Sequence, residues 1–230
     1  MFDEVAIGFS LTRTVVFIGK DGKTLVFRNA GTGTDSLQLK LPGEIACGHA
    51  VDGTVVVGLR NGGVVLYRKP FKRSVTLASN APLVGLRISE DGRYAVGVGS
   101  DQESVFIWDL EGNKQASISA QGIRAAGIVT SHSILVARKE KAIRFFDLHS
   151  RKDIGEIQFP ELVEEVAWSP DGTAVAVASE GKIHVSRIDR TVGGDRLVRA
   201  PRLLEVDREV SRILFSPLSL IHISEPTRPY

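Results

Sequence analysis

LVEEVAWSPDGTAVAVA (162–178) and LVGLRISEDGRYAVGVG (83–99) obey one pattern. Val163, Val166, Trp168 and Ser169 in the first match Leu83, Leu86, Ile88 and Ser89 in the second. An Asp-Gly pair follows in each, Asp171-Gly172 and Asp91-Gly92, and then an apolar run that alternates in size. Apolar alternation broken by Asp-Gly is a hairpin signal, because that dipeptide tolerates the positive φ of a tight turn. Two strands joined by a turn, met twice, pose the question of how often the unit recurs.

The signature returns as Val210, Ile213, Phe215 and Ser216, and in looser form as VAIGFS, ending at Ser10. Five steps separate Ser10 from Ser216, about 41 residues each, within the length of a four-stranded propeller blade. A second series keeps the beat: FRN (27–29), LYR (66–68), IWD (107–109) and FFD (145–147) each end a strand. In SVFIWDL, Phe106 and Trp108 share one face and Val105 and Ile107 the other; Ile143 and Phe145 oppose Arg144 and Phe146 in AIRFFDL. Asp21-Gly22, Asp52-Gly53 and Asn61-Gly62 supply further turns. Helical periodicity is absent.

Each repeat therefore reads as four strands. In the third they are expected near 83–89, 94–100, 104–110 and 115–120, and in the fifth near 162–169, 174–180, 182–188 and 203–206. The connection DRTVGGDRLVRAPR (189–202) reads as a long loop insertion.

On Trp168-Ser169-Pro170-Asp171-Gly172, Ser89-Glu90-Asp91-Gly92, Trp108-Asp109 and Phe146-Asp147, residues 4–217 resemble the WD40 β-propeller family. The resemblance implies an all-β fold of four-stranded antiparallel blades, about five of them plus the first strand of a sixth. It assigns Ser89, Asp91, Gly92, Trp108, Asp109, Phe146, Asp147, Trp168, Ser169, Asp171 and Gly172 to the structural repeat. Family members often carry a Gly-His pair ahead of the first strand; here Gly48-His49 lies inside the first strand of the second repeat. Within the family, GEIACGHAVDGTVVVGLRNGGVVLY (43–67) is similar to the second blade of the N-terminal propeller of the replisome hub that links DNA polymerase alpha to the replicative helicase. Leu218–Arg228, LSLIHISEPTR, resembles translated sequencing-library adapter. Residues 218–230 are accordingly expected to be a non-native tail on a partial propeller (1–217), a piece of a longer protein and poorly soluble by itself.

Composition narrows the functional classes. The 29 Lys and Arg nearly balance 27 Asp and Glu, for a net charge of +2, so no global field draws the chain to nucleic acid. Cys47 is the single cysteine, which excludes an intrachain disulfide and suits a reducing compartment. MFDEVAIGFS (1–10) has neither the basic nor the apolar region of a secretory signal. No apolar run reaches the roughly 20 residues of a membrane span. An intracellular, cytoplasmic or nuclear protein is expected.

The five histidines, at 49, 132, 149, 184 and 222, show no metal-ligand spacing. Gly97-Val98-Gly99 sits inside a strand and opens no phosphate loop. Asp109 and Asp147 recur once per blade, which marks blade closure rather than acid–base chemistry. No catalytic residue, metal or cofactor is expected. Candidate partner-binding residues are basic: Arg68, Lys69, Lys72 and Arg73 around Phe71, and Arg190, Arg196, Arg199 and Arg202 in the 189–202 connection. A third run holds Arg138, Lys139, Lys141 and Arg144. The expectation is a non-enzymatic scaffold that docks other proteins. A nucleic-acid-associated hub, a membrane-coat subunit and a propeller enzyme are the alternatives.

Overall fold

The computed structural model describes residues 5–10, 14–51, 53–72, 74–77, 81–89, 91–111, 114–119, 121–128, 133–138, 141–159, 161–169, 173–191, 194–197, 202–205, 212–215 and 221–224. Among them every regular element is a strand. The chain divides into two compact units, Met1–Ser119 and Ala120–Tyr230.

In the first unit, blade 1 is β1 (Val5–Ser10), β2 (Thr14–Ile18), β3 (Thr24–Asn29) and β4 (Asp35–Lys40). Blade 2 is β5 (Ile45–Val51), β6 (Thr54–Leu59), β7 (Val64–Arg68) and β8 (Ser74–Leu77). Blade 3 is β9 (Leu83–Ile88), β10 (Tyr94–Gly99), β11 (Ser104–Asp109) and β12 (Lys114–Ser119). Within each blade neighbours in sequence pair antiparallel. Blades 1 and 2 also join through a short parallel ladder, Gly8↔Ala50 and Phe9↔Val51, into one eight-stranded sheet.

Packing explains the sequence of the second strands. TVVVGL in β6 is buried along its whole length. Val55 and Val57 enter a core with Val16, Leu25 and Phe27 of blade 1, while Val56 enters a core with Leu83, Leu86 and Trp108 of blade 3. A strand covered on both faces has no polar face to alternate with, hence the continuous apolar run.

In the second unit, blade 4 is β13 (Ile123–Ile128), β14 (Ser133–Arg138), β15 (Ala142–Asp147) and β16 (Asp153–Gln158). Blade 5 contains β17 (Glu165–Trp168), β18 (Ala174–Ser179), β19 (Lys182–Thr191), β20 (Gly194–Leu197) and β21 (Arg202–Glu205). Ile143, Phe145 and Phe159 pack with Val163, Val175 and Val177 between these blades. β22 (Arg212–Phe215) and β23 (Ile221–Ser224) form a further antiparallel pair. Ile213 of that pair packs on Ala176, Ala178 and Ile183.

Two features differ from the sequence-based reading. The 189–202 connection is not a plain loop: β19 continues to Thr191 and turns back as β20, with Asp189↔Arg196 and Thr191↔Gly194 in register. The outer strand expected at 203–206 is β21, which pairs with the first half of β19. The sixth repeat shows two strands where one was expected. Its second strand, β23, falls inside the adapter-like segment; Ile221 and Ile223 alternate with His222 and Ser224, a pattern that pairs as a strand whatever its origin.

Candidate partner-binding site

Where they are described, the repeat residues bond turn backbone or pack in the core. Ser89, buried at the end of β9, takes its own N–H to the Tyr94 carbonyl (2.8 Å). Its Oγ accepts from the Tyr94 N–H (2.9 Å) and donates to Asp91 Oδ1 (2.5 Å). Asp91 in turn accepts the Arg93 N–H (3.0 Å), and Gly92 turns the corner at φ 69°. Ser169 repeats the first half of this corner in blade 5, with its N–H on the Ala174 carbonyl and its Oγ accepting the Ala174 N–H, both at 2.9 Å. Asp171 and Gly172 lie outside the described residues.

Trp108 is 1% exposed and stacks with Phe106, ring centroids 5.9 Å apart. Its ring end lies where a Cβ on Gly97 would approach to 3.1 Å. Phe146 is buried at the equivalent place in β15. Asp109 accepts the Glu111 N–H (3.1 Å). Asp147 accepts the N–H groups of His149 (3.2 Å) and Ser150 (2.6 Å). These bonds hold the Asp147 carboxyl below its ordinary range, the Ser150 backbone bond contributing most. Both aspartates close turns after third strands.

His49 lies inside β5, as its place in the sequence implies. Its Nδ1 accepts the Ile88 N–H at 3.3 Å. Burial, helped by the Arg87 cation, pulls the imidazole down to about 3, so it is a neutral acceptor at pH 7. Burial pushes the Cys47 thiol up to about 11, which leaves it unreactive. In blade 5, His184 Nε2 sits 4.0 Å from Glu161 Oε2, and Lys182 Nζ holds the other Glu161 oxygen at 3.3 Å. The His184 and Phe159 rings stand steeply inclined to each other, their centroids 5.5 Å apart. Among the described residues no three His, Cys, Asp or Glu side chains are placed to hold a metal ion.

The basic candidates divide. Arg68, Lys69 and Lys72 are exposed on the turn that links β7 to β8, and Arg73 lies outside the described residues. Arg190, Arg196 and Arg202 have backbone places in β19, β20 and β21, and Arg199 lies outside the described residues. Of the third run, Arg144 is neutralised by Glu156 (3.4 Å) and Asp153 (3.7 Å), Lys141 is exposed, and Lys139 lies outside the described residues.

The 68–72 turn has its own architecture. Lys69-Pro70 is cis, and Phe71 follows at φ 60°. The Phe71 N–H donates to the Arg68 carbonyl (2.6 Å). Its ring packs on Phe27 of blade 1, centroids 4.7 Å apart. Beneath lies a cavity of about 110 Å³ between blades 1 and 2. An aromatic set among lysines and arginines was visible in the sequence; that it roofs a cavity was not.

A comparison with curated protein sequences finds no match. Solved structures with similar folds include the hydrazine synthase of Kuenenia stuttgartiensis, at 16% identity and a TM-score of 0.69 over 94% of this chain and 72% of that one. The β-propeller domain of Cps50 (Swd1) from Myceliophteria thermophila gives 10% identity and a TM-score of 0.76 over 96% and 79%. A chain of a mitotic checkpoint complex gives 14% and 0.70 over 92% and 67%. At such identities these likenesses carry the fold alone, a β-propeller of antiparallel blades. A family model described as the lipoprotein LpqB β-propeller domain matches residues 73–214, from the end of the basic turn to the last strand before the adapter-like segment. That match takes in more than half of the chain, which therefore belongs to the LpqB β-propeller domain family.

Proposed function

We propose that the chain is a non-enzymatic scaffold of the WD40 propeller type, intracellular, whose blades hold exposed turns out to other proteins. The observation that carries this reading is the Arg68–Lys72 turn. It places cations on a rigid edge, with Phe71 anchored to the neighbouring blade. Loops fixed by a rigid sheet are common binding elements. The Ser89–Asp91 corner supports the WD40 part of the reading, since residues on which that resemblance rests close a corner of the blade together. The described aspartates of the repeat are engaged with backbone N–H groups, which favours blade closure over acid–base chemistry.

Affinity capture by the immobilised full chain from a lysate of the source cell tests the reading. A saturable protein partner is expected, retained after nuclease treatment. Its release should steepen as salt rises if the basic turn contributes. Retention of nucleic acid alone would transfer the reading to a nucleic-acid hub, and an absence of any saturable partner would overturn it.

A further inference from the structure

The cavity between blades 1 and 2 has the build of a side-chain pocket. Val16, Phe27 and Leu37 of blade 1 face Ala50 and Val55 of blade 2, and Phe71 lies across them. Thr14, Ser36, Thr54 and Lys69 also line it, Ser36 and Lys69 exposed and Thr54 buried. A bulky aromatic at positive φ is uncommon, and such residues persist where surrounding contacts over-determine them. Here those contacts are the bond to the Arg68 carbonyl and the packing on Phe27. Gly53, at φ 80°, lets the Lys69 stem lie flat against the turn: a Cβ there would come within 3.2 Å of Lys69 Cδ. Both devices shape the walls of the cavity. Positive φ recurs in other turns, at Gln102 between β10 and β11 and at Arg151 between β15 and β16; at Phe71 it serves to set a ring against the neighbouring blade.

The size and charge of the site restrict its occupant. An apolar cavity of about 150 Å³ takes benzene; one of about 110 Å³ suits a branched aliphatic side chain and excludes an indole. The turn beside it is cationic: Lys69 lines the cavity, Arg68 and Lys72 are exposed on the same turn, and neither of these two makes an ion pair with a described residue. Asp35, beside Ser36 on the wall, is occupied by Arg28 Nε at 2.7 Å.

We infer that this cavity is the docking pocket for one aliphatic side chain of an acidic segment in a partner protein, with carboxylates flanking that side chain drawn to the Arg68–Lys72 turn. The inference rests on the scaffold reading and gives it a place and a ligand chemistry.

The probe is a random peptide library displayed on phage, panned on the immobilised full chain. Enriched peptides are then synthesised for fluorescence polarisation. Enrichment is expected for Leu, Ile, Val or Met flanked by Asp or Glu. Replacing that aliphatic residue by Ala should weaken binding about tenfold or more, as one lost methyl-rich contact predicts. Ser36→Phe, made at an exposed position lining the cavity, crowds it and should abolish binding. Arg68→Glu with Lys72→Glu, both at exposed turn positions, should weaken it to a similar degree with an unchanged melting curve. That pair remains informative if Ser36→Phe does not fold. Enriched peptides indifferent to every variant would overturn the pocket and leave the scaffold reading standing. So would a peptide set without acidic residues, or no enriched peptide from a chain that still captures a protein partner from lysate. Failure to bind peptide and lysate protein alike would overturn both.

Discussion

The contact between blades 2 and 3 and the contact between blades 4 and 5 are built on the same strand positions with opposite sizes. β5 and β13 start alike: Ile45 and Ile123 are followed by a bulge before Cys47 and Ala125 resume the ladder. His49 and Gly127 therefore hold equivalent places. Their counterparts on the next blade are Ile88 and Trp168, equivalent in the repeat signature. In the first unit the His49 imidazole reaches the backbone of the next blade, where its Nδ1 takes the Ile88 N–H. In the second unit the indole of Trp168 occupies the space: a Cβ on Gly127 would lie 2.1 Å from Trp168 Cζ2. The same two positions hold His and Ile in one contact and Gly and Trp in the other. One contact is closed by a hydrogen bond and the other by shape.

The widest separation between the two contacts should appear on adding atoms to Gly127. Gly127→Ala is expected to cost about 3 kcal/mol in chemical denaturation, at the upper end of overpacking. Gly127→His should be worse. Coupling sharpens the test: Gly127→His combined with Trp168→Ile rebuilds the His–Ile pair and should recover part of the loss, a favourable coupling of about 1 kcal/mol or more. Simple additivity of the two substitutions would break the equivalence drawn above.

His49→Ala comes next. It leaves the Ile88 N–H without its acceptor, for about 1–3 kcal/mol, and Gly127 has no counterpart to this effect. The same imidazole makes stability depend on pH. Its folded value, about 3, lies below the roughly 6.5 of an unfolded histidine. Between those values the unfolded chain binds the extra proton, so the contribution is complete above pH ~6.5 and is lost as pH falls. Denaturation at pH 7 and pH 5 should show a loss on the order of 1 kcal/mol per pH unit below ~6.5 that His49→Gln removes. An equal loss in that variant would assign the slope to another group.

The contrast also marks what could be read ahead of the structure. The beat of Ser10, Ser89, Ser169 and Ser216 and the Asp-Gly turns sufficed for the blades, because a two-residue alternation and a turn dipeptide are local signals; bounds were less legible, since β17, expected over 162–169, is Glu165–Trp168 and β19, expected over 182–188, runs Lys182–Thr191. β9, expected at 83–89, runs Leu83–Ile88. The pairing of Trp168 with Gly127 joins positions on different blades, and no local pattern encodes it. The β19–β20 hairpin was hidden because its strands are rich in Arg and Asp, which suggest a loop. Of the candidate site, Arg68, Lys69 and Lys72 were legible as charge; the cavity depended on the positive φ of Phe71, a backbone fact without a residue-type signature.

Ser89 and Ser169 follow the two compared residues and share their corner bonds. Ser89→Ala and Ser169→Ala should each cost about 1 kcal/mol. Asp91 then also loses its Oγ donor, so Ser89→Ala combined with Asp91→Ala should cost less than the sum of the two single losses. Additive losses would show that the Asp91 contact adds nothing to the corner.

Asp147 should give the smallest effect, and it tests where the two units agree. Like Asp109, it ends a third strand and gathers backbone N–H groups. Its folded carboxyl titrates below the unfolded value, so the stabilisation is complete above the unfolded value of ~3.9 and disappears as pH falls through the folded one. Asp147→Asn keeps an acceptor oxygen for the Ser150 N–H and loses only the charge assistance. At pH 7 it should cost less than about 1 kcal/mol, and the difference from wild type should shrink as pH drops below ~4. A loss that persists in acid would mean that the amide distorts the turn. A loss well above that size would mean that the carboxylate supports more than the closing of its blade, and the structural reading of the repeated aspartates would then need to be reopened at Asp109 as well.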